Sequence, residues 1–299
     1  MRLACWRWGG RDHAGTVSAD GREATPLALA DPSRGALEII ERLVAGEPLP
    51  PETGPRIPVS AVELRAPLPK PRRNLFCAGR NYRAHAEELS TTVFKDAVAG
   101  GGRDVDRWPI VFTKVPETVI GPWDTVRLPG RSVTEEIDYE SELAVVIGKG
   151  GRDIAKGDAM AHVCGYTIVN DVSARDVQVR HQQWDLGKCF DTFCPMGPWI
   201  VTADELDGRD TRIRGWIKPH GGEPELRQDG RTKDMIFDIP TLIETCSRGI
   251  TLLPGDVIAT GTPSGVGMGF KPSKWLRPGD GFRIEIDGIG AIENRFELG

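Results

Sequence analysis

The sequence predicts a mostly β chain of the α+β class, and three observations carry that expectation. Short apolar runs rich in Val, Ile, Phe and Trp recur along its length. Thirty-six glycines and 23 prolines punctuate them, and sustained helical periods are few. With 299 residues, 39% hydrophobic and 27% charged, the chain can bury a large core.

The elements follow in order. Residues 3–8 read as a strand, Gly9-Gly10 as a turn and residues 16–18 as the return strand. Over 35–46, Leu37, Ile40, Leu43 and Val44 fall at helical spacing, with Gly46 as the stop. The Pro-rich stretch 48–58 reads as a semi-rigid linker. This predicts a small N-terminal α+β module, 1–65, and a larger domain, 66–299. In the latter, 111–114, 143–147, 165–169, 199–202, 257–260 and 282–286 read as strands, and 82–89, 173–183 and 239–249 as helices. The polar connection 90–108, with its glycine triplet at 100–102, is long enough to predict a functional loop that orders over a substrate.

Composition narrows the partners. Thirty-eight basic residues against 43 acidic ones leave a formal charge of −5, which argues against a nucleic-acid partner. No apolar run approaches the roughly 18 residues of a membrane span, so no membrane partner is expected. The N-terminus turns charged at once, with no apolar signal segment, which predicts a cytoplasmic protein. Six scattered cysteines without a C-x-x-C pair read as reduced and mostly buried, not as a zinc site.

The chemistry starts at Asp138-Tyr-Glu-Ser-Glu142. Glu140 and Glu142 share a face with Ala144 and Val146, at the mouth of a strand that is apolar on both sides. Two readings stand at this point: the pair ends a strand in water, or a divalent cation joins two charges that would otherwise repel. Asp171, ending a second strand in Asn-Asp before a Ser, adds a third acid and favours the cation. Three carboxylates with no His or Cys among them make a hard site. Mg²⁺ or Mn²⁺ is expected, Ca²⁺ is admissible and zinc is disfavoured.

Five segments in a fixed order give the chain a specific likeness: Ala78 to Glu88, Asp138 to Glu142, Gly165 to Gln178, Gly187 to Thr192, and Thr260 to Gly267. Over about residues 70–297 the chain resembles the fumarylacetoacetate hydrolase family, and its N-terminal module resembles that family's leading extension. The resemblance implies a mixed β-sheet roll, barrel-like, that pairs as a homodimer. It implies that Glu140, Glu142 and Asp171 hold the metal, and that His85 and Glu88 form a dyad on a short lid helix. Their i, i+3 spacing puts both on one helical face. Lys188 and Gln178 would hydrogen-bond an enolate or oxyanion, while Arg80, Tyr82, Gly261 and Thr262 would bind the substrate. The run from Gly265 to Gly269 is not a dinucleotide fingerprint, because it lacks the strand-then-helix setting.

The leading expectation is a metal-dependent hydrolase that cleaves a C–C bond in a small anionic dicarbonyl acid of the acylpyruvate type. Two alternatives use the same groups: decarboxylation of a 2-oxo acid such as oxaloacetate, and isomerisation of a hydroxydienoate. All three pass through an enolate. A catalytically silent, β-rich ligand-binding protein is the non-enzyme alternative, and the presence of His85, Glu88 and Lys188 argues against it.

Overall fold

Seven consecutive buried residues, Ser141–Ile147, form the central strand in the computed structural model, which describes residues 1–90 and 107–299. Period-two geometry splits them between two cores. Leu143, Val145 and Ile147 pack with Phe282, Ile284 and Ile292, whereas Ala144 and Val146 join Leu37, Ile40 and Met196. A strand covered on both faces has to be apolar, and this one is from Leu143 to Ile147.

The long sheet runs through Ile57–Pro58, Glu23–Pro26, Arg11–Val17, Arg2–Trp8, Cys194–Thr202, Val163–Asn170, Ser141–Ile147, Val257–Ala259, Leu75–Gly79 and Ile110–Lys114. A second, five-stranded sheet orders Glu225–Arg231, Arg212–Lys218, Gly281–Ile286, Gly290–Leu298 and Val126–Leu128. The fold is therefore the expected mostly β roll, but the described strands close no barrel. The N-terminal strands explain this: they continue the long sheet outward from Cys194–Thr202, with Leu3 opposite Ile200, instead of bending it back on itself.

The N-terminal hairpin turns at Gly9 and Gly10, as expected, and its return strand is longer than predicted, Arg11–Val17. The first helix, Leu37–Ala45, ends at Gly46 in a left-handed cap. The predicted 173–183 helix is shorter, Arg175–Arg180. Ser173–Ala174 pairs instead with Ile137–Asp138, and Gln182 takes a positive φ that no helix continues through. An unpredicted turn of helix, Asp185–Lys188, follows. Helix Ile239–Ser247 starts on Asp238, whose carboxylate accepts from Thr241 N.

All six cysteines are free thiols, and burial pushes Cys5, Cys164, Cys194 and Cys246 up to about 12. Among the described residues no helix is long and apolar enough to cross a membrane. Of the loop expected over 90–108, residues 91–106, glycine triplet included, lie outside those described.

The expected boundary near residue 65 falls between two strands of this same sheet. Leu37, from the N-terminal side, packs against Gly255 and shares a core with Ala144 and Val257. Leu37→Ala should therefore cost the whole chain about 2–5 kcal/mol in one cooperative transition. Denaturant unfolding followed by Trp fluorescence checks this; two resolved transitions would contradict it.

Candidate metal centre

The central strand delivers Glu140 and Glu142 to its open end, and Val163–Asn170 beside it delivers Asp171. Ser141 pairs with Asn170, so the acids at the ends of the two strands arrive together. One oxygen from each of Glu140, Glu142 and Asp171 lies within 4.8 Å of the others, and all three residues are buried.

Buried like charges need compensation, and here it is uneven. Lys188 Nζ sits 2.7 Å from Glu140 Oε2 and 2.7 Å from Asp171 Oδ2. Arg175 Nη2 lies 2.6 Å from Glu140 Oε1, and its Nε donates to Asp138 Oδ2 at 2.9 Å. Lys114 Nζ donates to Asp171 Oδ1 at 2.7 Å, to Val172 O at 3.0 Å and to Lys188 O at 2.5 Å. Among the described residues, Lys188, Arg175 and Lys114 thus pair with three of these four carboxylates. Glu142 is the fourth, and its Oε2 accepts the N–H of Gly261 at 2.8 Å.

The titration of the site follows from this imbalance. Burial alone would raise Glu140, but Lys188 and Arg175 hold it well below the usual carboxylate range. Burial raises Glu142 far above that range, and the charges of Asp171 and Glu140 add to the rise. For Lys188, burial favours the neutral amine, yet Asp171 and Glu140 outweigh it and lift the pKa above the ordinary lysine value. A hard, all-oxygen donor set fits a divalent cation of the Mg²⁺ or Mn²⁺ kind.

Over this cluster lies the Arg83–Ser90 helix. His85 is buried, lines the same cavity as Glu140 and Glu142, and faces Glu88 with Nδ1 3.2 Å from Oε2. Glu88 also accepts from Gly265 N at 3.1 Å. A Cβ on Gly269 would fall 1.9 Å from Glu88 Oε1, so only glycine lets the carboxylate seat there. The cavity is about 20 Å³ and is also bordered by Arg80, Phe112, Arg175, Gln178, Trp184, Lys188 and Thr262.

The residues expected to contact substrate are placed as follows. Tyr82, immediately before the lid helix, packs in the core and borders a separate cleft with Asp229, Asp234 and Pro263. Gly261 spends its N–H on Glu142. Thr262 borders the cavity, but its hydroxyl donates to Ser141 O at 3.0 Å and accepts from Gln228 Nε2 at 2.8 Å. Gln178 Oε1 accepts from Arg175 Nη1 at 3.3 Å, which leaves its amide N–H₂ as a donor.

The sequence reading assigned no role to Lys114, Arg175 or Asp138. Lys114 was detectable in principle, since it shares strand parity with the buried Phe112. Asp138 is saturated by Gly267 N, Met268 N, Tyr139 N and Arg175, at 2.6–3.1 Å.

Fold and site together define an enzyme built around a buried acid cluster. The chain belongs to the fumarylacetoacetate hydrolase family: the family model described as fumarylacetoacetate (FAA) hydrolase C-terminal matches residues 74–297. It is 51% identical over 237 residues to an oxaloacetate tautomerase of Bacillus subtilis, covering 79% of this chain and 74% of that one. Its fold is similar to that of a fumarylacetoacetate hydrolase from Exiguobacterium antarcticum, with a TM-score of 0.82, 38% identity and full coverage of both chains. A maleylpyruvate hydrolase from Sphingobium, solved with manganese(II) and pyruvate, is similar at a TM-score of 0.76 and 32% identity, over all of both chains.

A cation at this site competes with the proton on Glu142. Because the folded protein holds the Glu142 pKa up, the apparent affinity for Mn²⁺ should weaken as pH falls, by up to about tenfold per unit for one displaced proton. Calorimetric titration in buffers of differing ionisation heat checks this. A pH-independent affinity with no proton release would contradict it.

Proposed function

We propose that this chain moves a proton between carbon and oxygen in a small 2-oxo dicarboxylic acid, as an oxaloacetate tautomerase, with Mg²⁺ or Mn²⁺ held by Glu140, Glu142 and Asp171. The observation that carries the reading is the convergence of the His85–Glu88 dyad and Lys188 on one small cavity beside those acids. The 51% identity to a named oxaloacetate tautomerase supports it and favours proton transfer over C–C cleavage as the main activity.

When bound, a divalent cation would supply Lewis-acid polarisation of the 2-oxo group. The remaining work falls to the side chains. Glu88 accepts the Nδ1 proton of His85 and so leaves Nε2 as the base. Nε2 removes a proton from C3, and the C–H electrons become the C2–C3 double bond. Lys188 and the amide of Gln178 hold the charge that develops on the C2 oxygen. The same imidazolium then returns the proton to that oxygen, completing the keto-to-enol change. Arg80 at the cavity wall is the cation we assign to the distal carboxylate.

A second reading, hydrolytic cleavage of an acylpyruvate, is supported by the likeness to the maleylpyruvate hydrolase. There His85 would activate water instead. We also retain the homodimer as a proposal, since Glu225–Arg231 forms an edge of the five-stranded sheet.

The test follows enol loss from freshly dissolved oxaloacetate by ultraviolet absorbance, beside acylpyruvate cleavage, with Mn²⁺ and with EDTA. Metal-dependent enol conversion is expected, and His85→Ala should slow it about 10²–10⁴-fold with metal content unchanged. Glu140→Ala should abolish it. Acylpyruvate cleavage without enol conversion would replace the tautomerase reading with the hydrolase one, and an unimpaired His85→Ala variant would remove the dyad from the mechanism.

A further inference from the structure

Trp184 and Lys188 are four residues apart, about one turn, with Trp184 as the N-terminal cap residue of the Asp185–Lys188 turn. Both border the cavity of the acid cluster. The indole is held from three directions. It meets Phe112 edge-on, with centroids 5.4 Å apart and planes at 61°. It packs against the Val266 and Met268 cluster of the glycine-rich loop. It also lies flush on the backbone of Gly79: a Cβ there would fall 2.3 Å from Trp184 Cζ3 and 3.0 Å from Cη2, closer than any side chain tolerates. Phe112, which backs the indole, carries Lys188 Nζ 4.8 Å from its own ring centroid.

We propose that Trp184, seated on Gly79, is the specificity-determining residue that fixes substrate length and restricts the site to short 2-oxo acids; this rests on the function proposed above. A substrate oxygen held beside Lys188 meets the indole within about one helical turn, roughly 5 Å. Phe112, Gly79 and the loop cluster back the half-buried ring on three sides. Gly79 is the complementary half of the device. Any side chain there would drive the indole into the cavity.

The test compares Trp184→Ala, Trp184→Phe, Gly79→Ala and the double variant Gly79→Ala/Trp184→Ala. Two readouts are used: kcat/KM on oxaloacetate and on acylpyruvates of increasing acyl length, and calorimetric binding of oxalate and 2-oxoadipate to the Mn²⁺-loaded protein. One added methylene at an apolar wall is typically worth about 10–200-fold in discrimination. Trp184→Ala should therefore raise the long-to-short ratio at least about tenfold in binding and in any turnover, with Trp184→Phe between it and the parent. Gly79→Ala should weaken oxalate binding at least about tenfold, and the double variant should restore it. An unchanged ratio in Trp184→Ala, or a double variant as impaired as Gly79→Ala, would overturn the proposal. Should Trp184→Ala fail to fold by circular dichroism, Trp184→Phe and the Gly79→Ala loss decide in its place. The binding arm stands apart from turnover: a parent that converts no oxaloacetate but shows the ratio shift would sink the function and leave the length filter intact.

Discussion

Four carboxylates buried against three cations is the constraint from which the rest of this structure follows. Each acid that meets a cation is fixed by it: Asp138 and Glu140 by Arg175, Glu140 and Asp171 by Lys188, and Asp171 again by Lys114. Losing one partner of such a buried pair typically costs about 3–5 kcal/mol, because the other charge is left desolvated and alone. Glu142 is the exception: burial, then the charges of Asp171 and Glu140, push its pKa up, and a further cation would offset that. The same pressure explains why polar main chain crowds the site. Gly261, Gly267, Met268 and Tyr139 all turn N–H groups toward acids.

That arrangement ties lid, loop and acids into one hydrogen-bonded run. Glu88 joins His85 to Gly265, Tyr139 donates its hydroxyl to Gly265 O, and two residues on Gly267 reaches Asp138. Asp138 holds Arg175, and Arg175 holds both Glu140 and Gln178. The base dyad and the acid cluster are thus positioned by a shared glycine-rich segment, which accounts for glycine at 269 where any Cβ would displace Glu88.

Much of this was legible in the sequence where it depends on local period. The two-residue spacing of Glu140 and Glu142, the three-residue spacing of His85 and Glu88, and the strand that ends in Asp171 each carry their own geometry. What stayed hidden depends on distant partners. Nothing near Arg2–Trp8 announces that it pairs with Cys194–Thr202. Arg212–Lys218 and Glu225–Arg231 look too charged for strands, because their outer faces are solvated and bear cross-strand pairs such as Arg212 with Asp229. Ile213 and Ile217 nevertheless alternate inward. Lys114 shows its role only through three buried acceptors supplied by distant segments, and Tyr82 borders a cleft on the other side of the lid helix's start.

The charge account is tested most directly by an anomalous difference map from a crystal grown with Mn²⁺. It requires one strong peak within about 2.0–2.3 Å of an oxygen from each of Glu140, Glu142 and Asp171. A peak that engages any two of these acids but leaves Glu142 protonated and free, or no peak at saturating Mn²⁺, would contradict it.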